Sequence, residues 1–146
     1  MLKDLLRTDP SWSLTVIRLA LAIMILPHGA QKLLGLFGGY GFRGTMQFFT
    51  ESMHIPWVFA LLAILAEFFG GLALMFGLAT RLAAAGIGTV MLVAMLTTHL
   101  QHGFFMNWSG NQKGEGIEFF ILAIGISLAL VVGGGGAWSI DDRLAR

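Results

Sequence analysis

Glu67, His99 and Glu118 are the side chains of this sequence best suited to exchanging protons, and Arg18, His28, Lys32 and His102 are the cations and hydrogen-bonding groups that could partner them. Glu67 is the most unusual by its surroundings. It lies in the middle of an apolar run over residues 57–77 that, at about 1.5 Å of helical rise per residue, covers roughly 30 Å, the thickness of a bilayer's hydrocarbon core. A carboxylate at such a midplane is strongly disfavoured unless it faces a partner, a cavity or a ligand, which makes Glu67 the first functional candidate. Imidazoles titrate near neutral pH and carboxylates act as general acids and bases, so the set points to proton exchange inside a membrane.

The composition requires that setting. Of 146 residues, 56% are hydrophobic and 12% charged, far below the charge of a soluble domain. The chain reads as one all-α integral membrane domain over residues 1–146, a four-helix bundle with spans at about residues 13–36, 57–78, 82–105 and 116–132. Arg18 within the first run and the lack of a small-residue cleavage site argue against a signal peptide. Pro27 predicts a kink in the first helix, with a freed carbonyl and a cavity beside His28. Between the first two spans, Met46, Phe49 and Met53 fall on one face at helical spacing over residues 45–53, expected as a short helix in the membrane interface, as a lid over the bundle, or as a loop with some aromatic burial. Ala66/Gly70 and Ala84/Gly88 are small-residue pairs that permit close helix packing or homo-oligomers. Placing both termini in the cytoplasm sets Lys3, Arg7, Arg81, Arg143 and Arg146 inside against Lys32, Arg43 and Lys113 outside, as the positive-inside rule favours.

With that topology, depth can be counted along each helix. His28 and His99 lie roughly 24–25 Å from the inner surface, Glu118 enters from outside at about the same depth, and Lys32 and His102 lie one turn further out. Arg18, at roughly 9 Å, is expected within reach of Glu67 at roughly 15 Å. The result is an expected polar shaft from Arg18 and Glu67 up to His28, His99 and Glu118. An Arg18–Glu67 pair could equally be structural, and Lys32 is expected to snorkel to the outer surface. His99 and His102, at i, i+3, could ligate a metal with Glu118 or His28, but the spacing is too unspecific to assign one. The absence of cysteine excludes thiolate ligation and disulfide exchange by this chain. A net charge of +1 without a basic cluster argues against nucleic acid and against a polybasic lipid-binding segment.

These residues resemble the DoxX family of small bacterial membrane proteins over nearly the whole chain. The resemblance rests on Arg18, His28-Gly29 and Lys32; on Glu67, Gly70-Gly71, Leu74 and Gly77-Leu78-Ala79-Thr80-Arg81; on His99 with Gly103-Phe104-Phe105; and on Gly116-Ile117-Glu118 and Trp138-Ser139-Ile140-Asp141. Ile117 departs from the aromatic residue often found before the last glutamate. The resemblance implies a four-helix fold in the bacterial inner membrane and a role as an oxidoreductase or quinol-oxidase-associated subunit. Two functions follow. In one, a quinone or quinol is hydrogen-bonded by His99 or His28 while Glu67 or Glu118 exchanges protons, and a redox partner protein supplies electrons, because the chain has no metal, haem or flavin motif. In the other, the same polar shaft binds a lipid or small solute, or the bundle is a transport or assembly scaffold without catalysis.

Overall fold

A computed structural model describes residues 6–145 of the protein, so Lys3 and Arg146, two of the cations used to orient the chain, lie outside the described residues. Among the described residues the chain is entirely helical. Helix α1, Trp12–Leu34, starts after Pro10 and Ser11 and ends where Gly35 turns left-handed at φ 73°. A 3-10 turn, Leu36–Gly38, leads to α2, Gly41–Gln47, which widens into a π-helical turn, Phe48–Ser52. Helix α3, Trp57–Phe76, ends at Gly77, again left-handed at φ 66°. Helix α4, Thr80–Ala94, continues through a π turn, Met95–His99, and a 3-10 turn, Leu100–His102. A polar loop leads to α5, Glu118–Gly133, and after the glycine run comes α6, Ile140–Ala145.

Three of these helices, Trp12–Leu34, Trp57–Phe76 and Thr80–His102, are long and apolar enough to cross a membrane; Glu118–Gly133 is apolar but shorter, at 16 residues. The four pack as a ring, α1 on α3, α3 on α4, α4 on α5 and α5 back on α1. Leu21, Ile25, Leu74, Ile87 and Leu130 fill its centre. The outward faces are just as apolar: Ile23, Phe59 and Leu122 are each more than 60% exposed. Such a surface suits lipid as the solvent, where an apolar exterior carries no penalty.

Pro27 does not open the cavity anticipated beside His28. Helix α1 continues beyond it for about two turns, and both Pro27 and Ile23, whose carbonyl the missing N–H would have met, lie on the exposed face. The short helix between the first two spans begins at Gly41, earlier than its apolar spacing suggested. Its face of Met46 and Phe49 packs against Ala60 and Ile64 of α3 and Leu33 of α1.

Glycines set the helix spacing. A Cβ on Gly29 would stand 2.5 Å from the Phe68 nitrogen, so α1 meets the α3 backbone directly beside Glu67. Gly70 faces Ile87 of α4, and a Cβ on Gly88 would come 2.9 Å from that of Ser127 on α5. The small residues are therefore used within the chain, for ring closure. Gly29→Ala should push α1 and α3 apart and cost about 1–3 kcal/mol, read as a lowered thermal midpoint in detergent; an unchanged midpoint would show that the contact is not needed.

Candidate functional site

The structure divides the anticipated shaft into separate polar centres. In the first, Lys32 Nζ lies 2.6 Å from Glu67 Oε2. Glu67 stands about 15 Å from the start of α3, and its side chain is 5% exposed, whereas the Lys32 side chain is 25% exposed. Lys32 therefore does not snorkel to the outer surface, and Glu67 does not pair with Arg18. Helix stagger accounts for both corrections. Because α1 and α3 run antiparallel with Gly29 against the Glu67–Phe68 peptide and Gly71 against Leu26, α3 continues roughly 9 Å beyond the end of α1, and the 36–52 segment covers that upper part. Arg18, eleven residues before Gly29 on α1, is thus about 16 Å from the level of Glu67 along the helix and reaches only as far as the Leu74 carbonyl.

The pair retains hydrogen-bonding capacity. An ammonium has three donors, and Glu67 receives one of those of Lys32; no other acceptor for Lys32 and no donor to Glu67 Oε1 is found among the described residues. A donor and an acceptor therefore remain side by side, ten residues into an apolar helix. That combination can hold a ligand oxygen and exchange a proton with it.

The second centre is at the end of the ring where the chain termini meet the α3–α4 turn. Arg18, 1% exposed, donates from Nε to Gly135 O at 2.8 Å, from Nη1 to Leu74 O at 2.5 Å and Met75 O at 3.1 Å, and from Nη2 to Trp138 O at 3.4 Å. Asp141, also 1% exposed, accepts from the Ala79 and Thr80 backbone N–H groups at 2.7 and 2.8 Å, and its own N–H donates to Gly77 O at 2.9 Å. A buried carboxylate here satisfies the free donors of the first turn of α4 and offsets the partial positive charge of that helix end. Gly77 admits this contact, since a Cβ would stand 2.5 Å from that of Ser139. Neither hydropathy nor spacing singles out Asp141 or Ser139, because both act across the fold; the one signal was their place in the resemblance to the family. This centre closes the fold, and Arg18 is committed to carbonyls within it.

The remaining candidates sit at the opposite end, and no hydrogen bond or ion pair among the described residues joins them to Glu67. His28 is exposed on α1. His99 bonds through Nδ1 to the Glu115 carbonyl at 2.9 Å, which places the proton on Nδ1 in the neutral ring, and the ring rests on Phe120 with centroids 4.2 Å apart. Glu118 Oε1 accepts from Met106 N at 2.8 Å and Trp108 Nε1 at 3.1 Å, so it organises the loop leading to α5. His102 is half-buried against Gly114, whose Cβ would come 2.6 Å from Nε2. No group of three histidine, cysteine or acidic side chains among the described residues could hold a metal ion.

An all-helical ring, apolar inside and outside, with helices long and apolar enough to cross a bilayer, defines a multi-pass membrane protein. Residues 13–100 match the DoxX family, and the chain belongs to it. The matched segment contains Arg18, Lys32, Glu67 and His99 and stops before Glu118 and Asp141. The chain is 34% identical to the inner membrane protein YqjF of Escherichia coli (strain K12) over 137 residues, covering 90% of this chain and 91% of the relative. It is 30% identical over 115 residues to a Bacillus subtilis (strain 168) protein named "Putative oxidoreductase CatD", covering 79% and 75% respectively. No solved structure matches the chain significantly. The protein is a multi-pass protein of the bacterial inner membrane in contact with the lipid bilayer.

Proposed function

We propose that this DoxX-family protein is a quinone-linked accessory subunit of a membrane redox system, with the Lys32–Glu67 pair as the site that holds a polar ligand head and handles its proton. The observation that carries this reading is the 2.6 Å pair of a buried Glu67 and a partly exposed Lys32, with unspent hydrogen-bonding capacity on both partners among the described residues. Lys32, the more exposed of the two, donates to a ligand oxygen, and Glu67 accepts or releases a proton at Oε1. A quinone bound there would supply the coupled electron and proton chemistry that this chain's own side chains lack. Electrons come from a partner protein, since no cysteine is present to relay them. The name carried by the Bacillus subtilis relative agrees with a redox setting.

In the same reading the four helices of the ring all cross the bilayer, both termini face the cytoplasm and the 36–52 segment lies in the outer interface over the site. The gathering of Arg7, Arg81 and Arg143 toward the terminal end supports that orientation. His99, with Nε2 unspent by its bond to Glu115, and Glu118 would serve proton exchange at the outer end, and His28 and His102 would flank it.

The test is native mass spectrometry with lipid extraction on gently purified protein, comparing the wild type with Glu67→Gln and Lys32→Gln. Quinone retained by the wild type and lost from both variants is the expected result. Quinone retained equally by all three would remove the pair from the site. Bulk phospholipid alone in every sample would favour a non-catalytic lipid-binding or assembly-scaffold role.

A further inference from the structure

At the terminal end of the ring lies a cleft of about 620 Å³ that the Lys32–Glu67 site does not use, lined by Arg7, Thr8, Asp9, Arg81 and Val132 among others. The two arginines are 74 residues apart in sequence, so no linear basic cluster announces them. The fold brings them together. Arg81 Nε donates to the Arg7 carbonyl at 3.0 Å and Nη1 to the Val131 carbonyl at 2.5 Å, which fixes the guanidinium between the N-terminal segment and the end of α5. Both partners are neutral, so among the described residues no carboxylate cancels its charge and Nη2 donates to nothing. Neither Arg7 nor Arg81 forms an ion pair among the described residues. The cleft's carboxylate, Asp9, is exposed on its rim.

The surroundings fix the depth of the cleft. Trp12 and Trp138, 59% and 77% exposed, meet with ring centroids 5.2 Å apart at this same end, as side chains of the headgroup belt do. Below the arginines, Val132 and Leu82 are 78% and 69% exposed, an apolar wall that an acyl chain can follow. A guanidinium presents a planar fork that matches two phosphate oxygens.

We propose that Arg7 and Arg81 form a binding site for an anionic phosphate ester. The same chemistry is offered by the headgroup of an anionic phospholipid and by a soluble phosphate. Phosphatidylcholine fits less well, because its ammonium opposes the two arginines.

The test uses the full-length protein in nanodiscs of phosphatidylcholine with or without phosphatidylglycerol, released for native mass spectrometry. Phosphatidylglycerol should be retained over phosphatidylcholine by about five-fold for each arginine engaged, and Arg7→Gln should remove about that factor. The Arg7 side chain is exposed and makes no hydrogen bond among the described residues, so this variant keeps the test valid if Arg81→Gln loosens the fold. Adding millimolar inorganic phosphate separates the two sources. Unchanged lipid retention assigns the site to the headgroup, and displacement of the lipid assigns it to a soluble phosphate. Equal retention of the two lipids by the wild type, or an unaltered preference in both variants, overturns the proposal.

Discussion

Arg18→Ala is expected to destabilise the protein more than any substitution at the Lys32–Glu67 pair, lowering stability by about 3–5 kcal/mol. The guanidinium supplies donors to four carbonyls from two parts of the chain, the end of α3 and the segment after α5. Removing it leaves those acceptors facing a cavity in the protein, at a typical cost of about 1–3 kcal/mol for each buried polar group left without a partner. The total is less than the sum, since Leu74 O also accepts from the Gly77 N–H. Arg18→Lys keeps the charge but replaces a three-nitrogen fork with one nitrogen, and should recover less than half of the loss. Thermal unfolding in detergent, followed by circular dichroism, reads both. A midpoint for Arg18→Ala within a degree or two of the wild type would mean that the carbonyls find other donors and that the staple is dispensable.

The second large effect falls on Glu67. Glu67→Gln leaves the Lys32 ammonium without its counter-charge between two helices, and breaking a fully buried pair costs about 3–5 kcal/mol. Lys32 keeps partial access to its surroundings, which brings the expected loss nearer to about 2 kcal/mol. The double variant Lys32→Met/Glu67→Leu removes both charges and should regain most of that stability, since apolar side chains replace buried ion pairs at little or no net cost. It should not regain ligand retention. Comparing the three proteins therefore separates a pair kept for structure from one kept for chemistry: recovery of both properties in the double variant would assign the pair to structure alone.

Much of the fold was legible in the sequence, because length and hydropathy report on the solvent that each helix must face. The apolar runs around Ile25, Glu67, Met91 and Ala123 lie in the helices of the ring. Glu67 was visible as a candidate for the same reason, a charge where charge is disfavoured. Its partner was not, since depth counted along each helix separately contains nothing about stagger. Arg18 and Lys32 lie about four turns apart on α1, and which of them meets Glu67 is set by Gly29 and Gly71 meeting the facing helix. The common level assigned to His28, His99 and Glu118 failed as a network for a related reason. Level says nothing of direction, and His28 points outward while Glu118 turns back to its own loop. The Gly133–Gly136 run looked like a release from the last helix. Its carbonyls are in fact acceptors for Arg18 and Ser139, a use that depends on backbone exposed by the lack of side chains.

The Arg18–Gly135 contact joins residues 117 positions apart, and this separation governs the order in which the molecule can be made. The first helix leaves the ribosome with a guanidinium whose acceptors have not yet been translated. Leu74 and Met75 supply two of them once α3 has been made, and Gly135 and Trp138 supply the other two only after α5. With the glycine run docked all four acceptors are in place, and Asp141 receives the Ala79 and Thr80 N–H groups of the α3–α4 turn. A chain that stops before Gly135 therefore lacks two of the four carbonyl acceptors of an arginine carried by its first helix.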